Sequence, residues 1–235
     1  MKYNKVEAIN ALFSFKLRDS DLVFLFLGYS GILLRSKDVT ILIDPGKGLT
    51  HTEVSAIKHL DLLLFTHNHW DHFKKDHALE IFKQTRPHIV TDVVSSEELK
   101  AYIPPEMLTK ADPASKSATH QIDETEVTAL QGIHVDPITQ YLINLGRIKI
   151  FHGGDSGYRR QKDTPADLAF VPVGTTTTCS PAAALATIMD LQPKIAIPIH
   201  GRRAEMKQFK SIMEKVRPEV AVIIPEKLKP IRLMV

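Results

Sequence analysis

Cysteine is nearly absent from this chain: Cys179 is the only one in 235 residues. An internal disulfide is therefore excluded, and so is a zinc site built on paired Cys-x-x-Cys motifs. Any bound metal must take nitrogen and oxygen ligands. Long apolar runs are missing as well. No stretch approaches the roughly 20 residues that span a bilayer, and the N-terminal segment offers only "ALF" as an uninterrupted apolar run, too short for the core of a signal peptide. We read the protein as cytoplasmic, with no membrane partner. Charge of one sign is also scarce. The net charge of +3 is too small to imply nucleic acid as the main partner, although residues 201–235 hold nine Lys or Arg against four Glu.

What the chain has in quantity is strand. Apolar runs bounded by Gly, Pro or Asp fall at 22–28, 31–35, 39–44, 61–66 and 88–92, and further runs at "EVTAL", "QYLINLG", "RIKIFHG", "DLAFVPV", "KIAIPIH" and "EVAVII". Helical segments lie between them. "HFKKDHALEIFKQT" sets Phe73, His77, Leu79, Ile81 and Phe82 near one face, "SSEELKAYI" opens with a capping box of Ser95 and Glu98, and "SPAAALATIMD" offers Ser180 as N-cap with Pro181 after it. Hairpin-like strands follow one another in the first half, and strand alternates with helix in the second. This pattern predicts an α/β fold in which two mixed β-sheets are flanked by helices, as a single domain over residues 1–235. "PPEMLTKADPASKSATHQ" (104–121) reads as a surface excursion. Residues 1–20 fit a helix through Val6, Ile9, Leu12 and Phe13, or a strand through Phe13, Phe15 and Leu17.

"THNHWDH" (66–72) follows the apolar run "DLLLF" and packs three histidines and an aspartate into six positions. Such a pattern arises by chance about once in a thousand shuffled chains. On a helix His67 and His69 would point about 200° apart, and on a strand His72 would face away from the others. A loop at the carboxyl end of a strand can gather all four, with Asp71 and His72 opening the next helix. Four such donors exceed what one tetrahedral catalytic ion needs, which points to two divalent metals, zinc first and manganese or iron next. Further ligands are then sought at strand ends, where His134, Asp155 and His200 stand in "LQGIHVDP", "IKIFHGGDSGY" and "IAIPIHG".

The order of these elements over residues 22–201 resembles the metallo-β-lactamase superfamily. The resemblance implies a four-layer αβ/βα sandwich. It also implies that His67, His69 and His134 bind one metal, that Asp71, His72 and His200 bind the other, and that Asp155 bridges them. Asp44 in "ILIDPG" would orient a ligand by hydrogen bonding. His120 and His152 compete with His134 for the third-histidine position. "FHGGDSGY", "FVPVG" and the segment ending in "IAIPIHG" look most like the branch containing ascorbate-6-phosphate lactonase. Cys179 lies well beyond the place of Asp155, which disfavours the Cys-ligand type of β-lactamase, and His69 stands where flavo-diiron proteins carry Glu.

These readings imply a binuclear hydrolase that activates a metal-bridging hydroxide and acts on a small ester or lactone. Asp71 would orient that hydroxide while binding its own metal. His152 and Tyr158 are candidate proton donors by their nearness to Asp155 in sequence. Arg159, Arg160, Arg202 and Arg203 begin in loops that leave the metal ligands and would suit a phosphorylated or carboxylated substrate. A phosphodiesterase or ribonuclease of the same superfamily is the alternative, with nucleic acid as the less favoured partner. A non-catalytic metal-binding scaffold is the alternative of another class. A homo-oligomer is compatible with the resemblance. Trp70 reads as a packing residue beside the site with substrate stacking as its second role, "TTTT" (175–178) as a loop near the metals, and His51, His59, His77 and His88 as surface or core histidines.

Overall fold

The computed structural model describes residues 3–46, 49–115, 118–161, 164–174 and 179–234. In chain order they form α1 (Lys5–Ser14), β1 (Asp21–Gly28), β2 (Gly31–Arg35), β3 (Thr40–Ile43), α2 (His51–Val54), β4 (Leu62–Phe65), α3 (Lys75–Thr85), β5 (His88–Thr91), α4 (Val93–Leu99) and β6 (Leu108–Lys110). There follow β7 (Thr119–Ile122), β8 (Thr125–Gln131), β9 (Thr139–Asn144), β10 (Lys149–His152), β11 (Leu168–Pro172), α5 (Pro181–Leu191), β12 (Ile195–Ile199), α6 (Arg203–Val216), β13 (Ala221–Val222) and β14 (Ile231–Met234). By its internal contacts the chain divides into two compact units, residues 1–110 with 226–235 and residues 111–225. The segment 104–121 is thus no simple excursion: it supplies β6 and β7 and contains the division.

Each unit carries one seven-stranded mixed sheet, in the orders β14-β1-β2-β3-β4-β5-β6 and β13-β12-β11-β10-β9-β8-β7. In the first, β14, β1, β2 and β3 pair antiparallel and β3 to β6 pair parallel. The second repeats the pattern, with β7 to β10 antiparallel and β10 to β13 parallel. The expected contrast between a hairpin-rich first half and an alternating second half gives way to two sheets that each contain both. The reason is that α3 and α4 already serve as links between parallel strands in the first unit, whereas periodicity alone made its strands look continuous.

Residues 3–20 contain the helix α1 followed by chain without regular structure up to β1. Asn4 and Glu7 form a reciprocal capping box at the start of α1. Arg35 donates to the carbonyls of Leu12, Phe13 and Phe15 at 3.5, 3.4 and 3.0 Å, satisfying acceptors that the end of α1 leaves open. Ala8, Ile9 and Leu12 join Val23, Leu25, Leu33, Leu63 and Phe82 in the core of the first unit. The alternate residues of β1, Leu22, Phe24 and Phe26, are buried too. A strand covered on both faces has no use for polar alternation, which explains the unbroken apolar runs.

Two helix starts differ from expectation. α4 begins at Val93 with Asp92 as N-cap, its Oδ1 accepting the amides of Val94 and Ser95 at 2.8 and 3.1 Å, so the Ser95 and Glu98 pair does not open it. α3 begins at Lys75, after the metal-type motif has turned on itself. Ser180 and Pro181 do open α5.

β14 is clamped onto β1 by Arg232, whose Nε and Nη2 donate to Asp21 Oδ1 and Oδ2 at 3.1 and 2.5 Å, while the Arg18 amide donates to Oδ2 at 2.7 Å. The Arg232 hydrogen bonds, then that amide, hold the Asp21 carboxyl below its ordinary value. Such a group adds stability that is full above the ordinary value and is lost as pH falls through the depressed one. Asp21→Asn should lower Tm at neutral pH, and its gap to wild type should close between about pH 5 and about pH 2. Thermal melts across that range measure it, and a gap that ignores pH would sink the assignment.

Candidate metal centre

In the first unit the donors sit just past β4. The buried run Leu62–Phe65 ends, and the His69 carbonyl then accepts the amides of both His72 and Phe73, at 2.9 and 2.8 Å. That double acceptance closes a tight turn, so Asp71 and His72 lie in the turn and not in α3. It also brings the rings together: His67 lies 4.4 Å from His69 and 4.2 Å from His72, centroid to centroid. His67 and His72 are fully buried, and His69 and Asp71 are half-buried.

Asp44 organises this turn from the end of β3. Its Oδ1 accepts the Thr66 amide at 2.8 Å, and its Oδ2 accepts the Thr66 hydroxyl at 2.7 Å and stands 2.8 Å from His72 Nδ1. The carboxylate can only accept, so His72 carries its proton on Nδ1 and presents the lone pair of Nε2. The Thr66 hydroxyl, having spent its proton on Asp44, accepts from His67 Nδ1 at 3.1 Å and fixes the same tautomer there. His72 Nε2 then lies 3.7 Å from Asp71 Oδ2. That is too long for a hydrogen bond and close to the ~3.4 Å that separates two ligands about 2.1 Å from one tetrahedral ion.

Gly46 secures the other side of the turn. Its amide donates to the His72 carbonyl at 2.8 Å, its carbonyl accepts from His77 Nδ1 at 3.0 Å, and a β-carbon on it would run into the carbonyl of Asp71. Gly46 also has φ +49°, and Asp44, an L-residue, is held at φ +46°. His77 is thus more than a bystander on a helix face. Thr66, Gly46 and His77 carry no metal-ligand signature, and sequence reasoning passes over their role; only the glycine after "IDP" hints at a required turn.

The second unit brings three donors together at the ends of β8, β10 and β12. Asp155 Oδ2 lies 3.6 Å from His134 Nε2 and 3.9 Å from His200 Nε2, again the spacing of shared ligands. Asp155 and the His134 side chain are buried, and His200 is held at φ +48° in the bend that ends β12. Ser156 ties the first two loops: its Oγ accepts the Ile133 amide and donates to the Gly157 carbonyl, both at 2.8 Å, and the Gly157 amide donates to the Ile133 carbonyl at 2.7 Å.

His152 ends β10, fully buried, and its Nδ1 accepts the Gly154 amide at 3.3 Å. His120 lies on β7 opposite Val127. The Tyr158 hydroxyl donates to Asp190 Oδ2 at 3.1 Å, and that oxygen also accepts the Gln161 amide at 2.8 Å, fastening the loop after Asp155 to α5. Desolvation and the Asp190 carboxylate push the Tyr158 hydroxyl above its ordinary value. Arg159, Arg160, Arg202 and Arg203 are exposed; the Arg202 amide caps α6 by donating to Glu205 Oε2 at 2.6 Å. Burial pushes the Cys179 thiol up to about 11, so it stays protonated at neutral pH. Among the remaining histidines, exposed His51 meets Glu80, exposed His59 lies 2.7 Å from Asp61, and His88 Nε2 lies 2.8 Å from Thr109 Oγ1. The "TTTT" segment at 175–178 lies outside the described residues.

Imidazole and carboxylate donors spaced as ligands, with His67 and His72 pre-set in tautomer, suit a borderline divalent cation. A family profile described as the beta-lactamase superfamily domain matches residues 24–200. The chain belongs to the metallo-β-lactamase superfamily. A metal-dependent hydrolase of the UPF0173 group from Thermoplasma acidophilum is 31% identical, over 82% of this chain and 91% of its own length. A metallo hydrolase of the archaeon Ignicoccus hospitalis superposes with a TM-score of 0.78 at 19% identity, covering 92% of this chain and 99% of its own. A metallo-β-lactamase fold protein of Bacillus subtilis gives 0.69 at 15% identity, covering 91% and 100%. These likenesses establish the superfamily's fold of two mixed sheets flanked by helices. Among the described residues no helix is long and apolar enough to cross a membrane.

Two substitutions test the turn around Asp44. Asp44→Ala removes the acceptor that fixes His72 and should weaken metal binding about 10- to 100-fold; chelator competition measures it, and an unchanged affinity would refute the orienting role. Gly46→Ala should lower both Tm and metal content, whereas Gly146→Ala, at a site where a β-carbon meets nothing within 4 Å, should leave metal content intact.

Proposed function

We propose that this chain is a metal-dependent hydrolase with two divalent ions, acting on a small, anionic ester or lactone. As the resemblance in motif order implies, His67, His69 and His134 would hold one ion and Asp71, His72 and His200 the other, with Asp155 a ligand to both. The observation that carries the reading is the position of Asp155: a single carboxylate oxygen stands at ligand spacing from two histidines that lie beyond the ends of different strands. The UPF0173 relatives named as metal-dependent hydrolases support the reaction class.

Two ions so held would polarise the substrate oxygen and bring the pKa of bound water down toward about 7. The chain's own part is to keep the histidine rings fixed and ready. Asp44 and Thr66 hold the protons of His72 and His67 on Nδ1, so neither ring has to reorient when ligand arrives. Asp71, half-buried beside His72, has a second carboxylate oxygen with which to align an attacking water. The Arg159, Arg160, Arg202 and Arg203 guanidiniums are exposed donors for a phosphate or carboxylate on the substrate. Zinc suits the donor set, and manganese and iron accept the same ligand types.

The test is metal content per chain in protein purified without added metal or chelator. Wild type should carry about two equivalents, Asp155→Ala and His134→Ala clearly fewer. Chelation should abolish turnover across an ester, lactone and phosphoester panel, and zinc, manganese or iron should restore it. One equivalent or none, unchanged by either substitution, would overturn the proposal.

A further inference from the structure

Two aromatic side chains beside the donors take no part in holding metal. Trp70 stands in the chain between the donors His69 and Asp71, and it is 56% exposed. Tyr29, 49% exposed, meets it edge to face, with ring centroids 5.8 Å apart and planes at 79°. Tyr29 occupies the turn between β1 and β2 at φ +49°, the left-handed region that disfavours a bulky side chain. Its neighbours Gly28 and Ser30 show that small residues fit this turn. The chain thus accepts backbone strain and leaves two large rings in water at one spot, although glycine or asparagine would make the turn at less cost. Neither penalty is compensated by burial in the core. What the arrangement provides is a fixed aromatic surface one residue away from two metal-type donors.

We propose that the Tyr29 and Trp70 pair selects substrates carrying a planar apolar group directly attached to the scissile ester, lactone or phosphoester, and that this group packs against the Trp70 indole. The proposal rests on the hydrolase reading and adds the chemistry of the group next to the reacting bond. Tyr29 acts through Trp70, bracing the indole edge so that its face stays presented.

Trp70 is the only tryptophan of the chain, so intrinsic fluorescence reports on this residue alone. Phenylphosphonate and methylphosphonate share the anionic head and differ in the ring, and neither has an ester bond to hydrolyse. Metal-loaded wild type should bind phenylphosphonate the more tightly, with a change in Trp70 emission that methylphosphonate does not reproduce. By calorimetry, Trp70→Ala should cut the phenyl-over-methyl preference about 3- to 10-fold, Trp70→Phe should retain most of it, and Tyr29→Ala should cut it by a smaller factor. Metal content and circular dichroism of each variant verify that it is folded and loaded. Equal affinity of wild type for both probes, or equal weakening of both by Trp70→Ala, would overturn the proposal. Preserved ring preference with no turnover of any ester, lactone or phosphoester would defeat the hydrolase reading and leave the aromatic selection standing. Turnover without ring preference would do the reverse.

Discussion

The buried carboxylate of Asp44 is the contact on which the donor turn depends. It accepts three hydrogen bonds, two from Thr66 and one from His72, and has no proton of its own to give. A carboxylate buried without such partners would cost several kcal/mol, so the turn that offers them is selected along with it. The left-handed backbone at Asp44, the glycine two residues on, and the parallel pairing of β3 with β4 together bring this one side chain beneath the start of the motif. Histidine tautomers, ring positions and the direction of the Nε2 lone pairs are then settled before any ion arrives.

The second unit reaches a comparable end by different means. There side-chain oxygens away from the donors do the fastening: Ser156 joins the His134 and Asp155 loops, and Asp190 draws the following segment against α5. Both units place donors beyond the carboxyl ends of strands, where chain leaving a sheet is free to take irregular conformations while the sheet itself stays rigid. The two glycine-lined turns at Gly46 and at 153–154 mark where that irregularity is tightest.

The motif stood out in the sequence because its composition is rare: three imidazoles and a carboxylate fall within six positions. Strands covered on both faces were legible as apolar runs, with ends displaced by a residue or two. β6, β7 and β14 were missed because they are short edge or near-edge strands with polar residues, where burial leaves a weak imprint. The cap of α4 was misplaced because Ser95 and Glu98 match a capping box locally, while Asp92 at the end of β5 reaches the free amides first. Thr66, Gly46, Ser156 and Asp190 were illegible as parts of the site. Each makes an ordinary hydrogen bond or turn, and only three-dimensional proximity gives it a role.

The Arg232 and Asp21 clamp joins positions 211 residues apart in sequence. Every other strand pairing in the first sheet can form from chain that precedes residue 111, yet its outer edge waits for β14. Closing so long a loop brings an entropic cost that local pairings do not, and such contacts form late. During synthesis the first unit must therefore spend the time needed to translate and fold the second with the edge of β1 uncovered. Its acidic residue Asp21 sits at the open end of that edge, where an unpaired charge discourages pairing with other chains until Arg232 arrives.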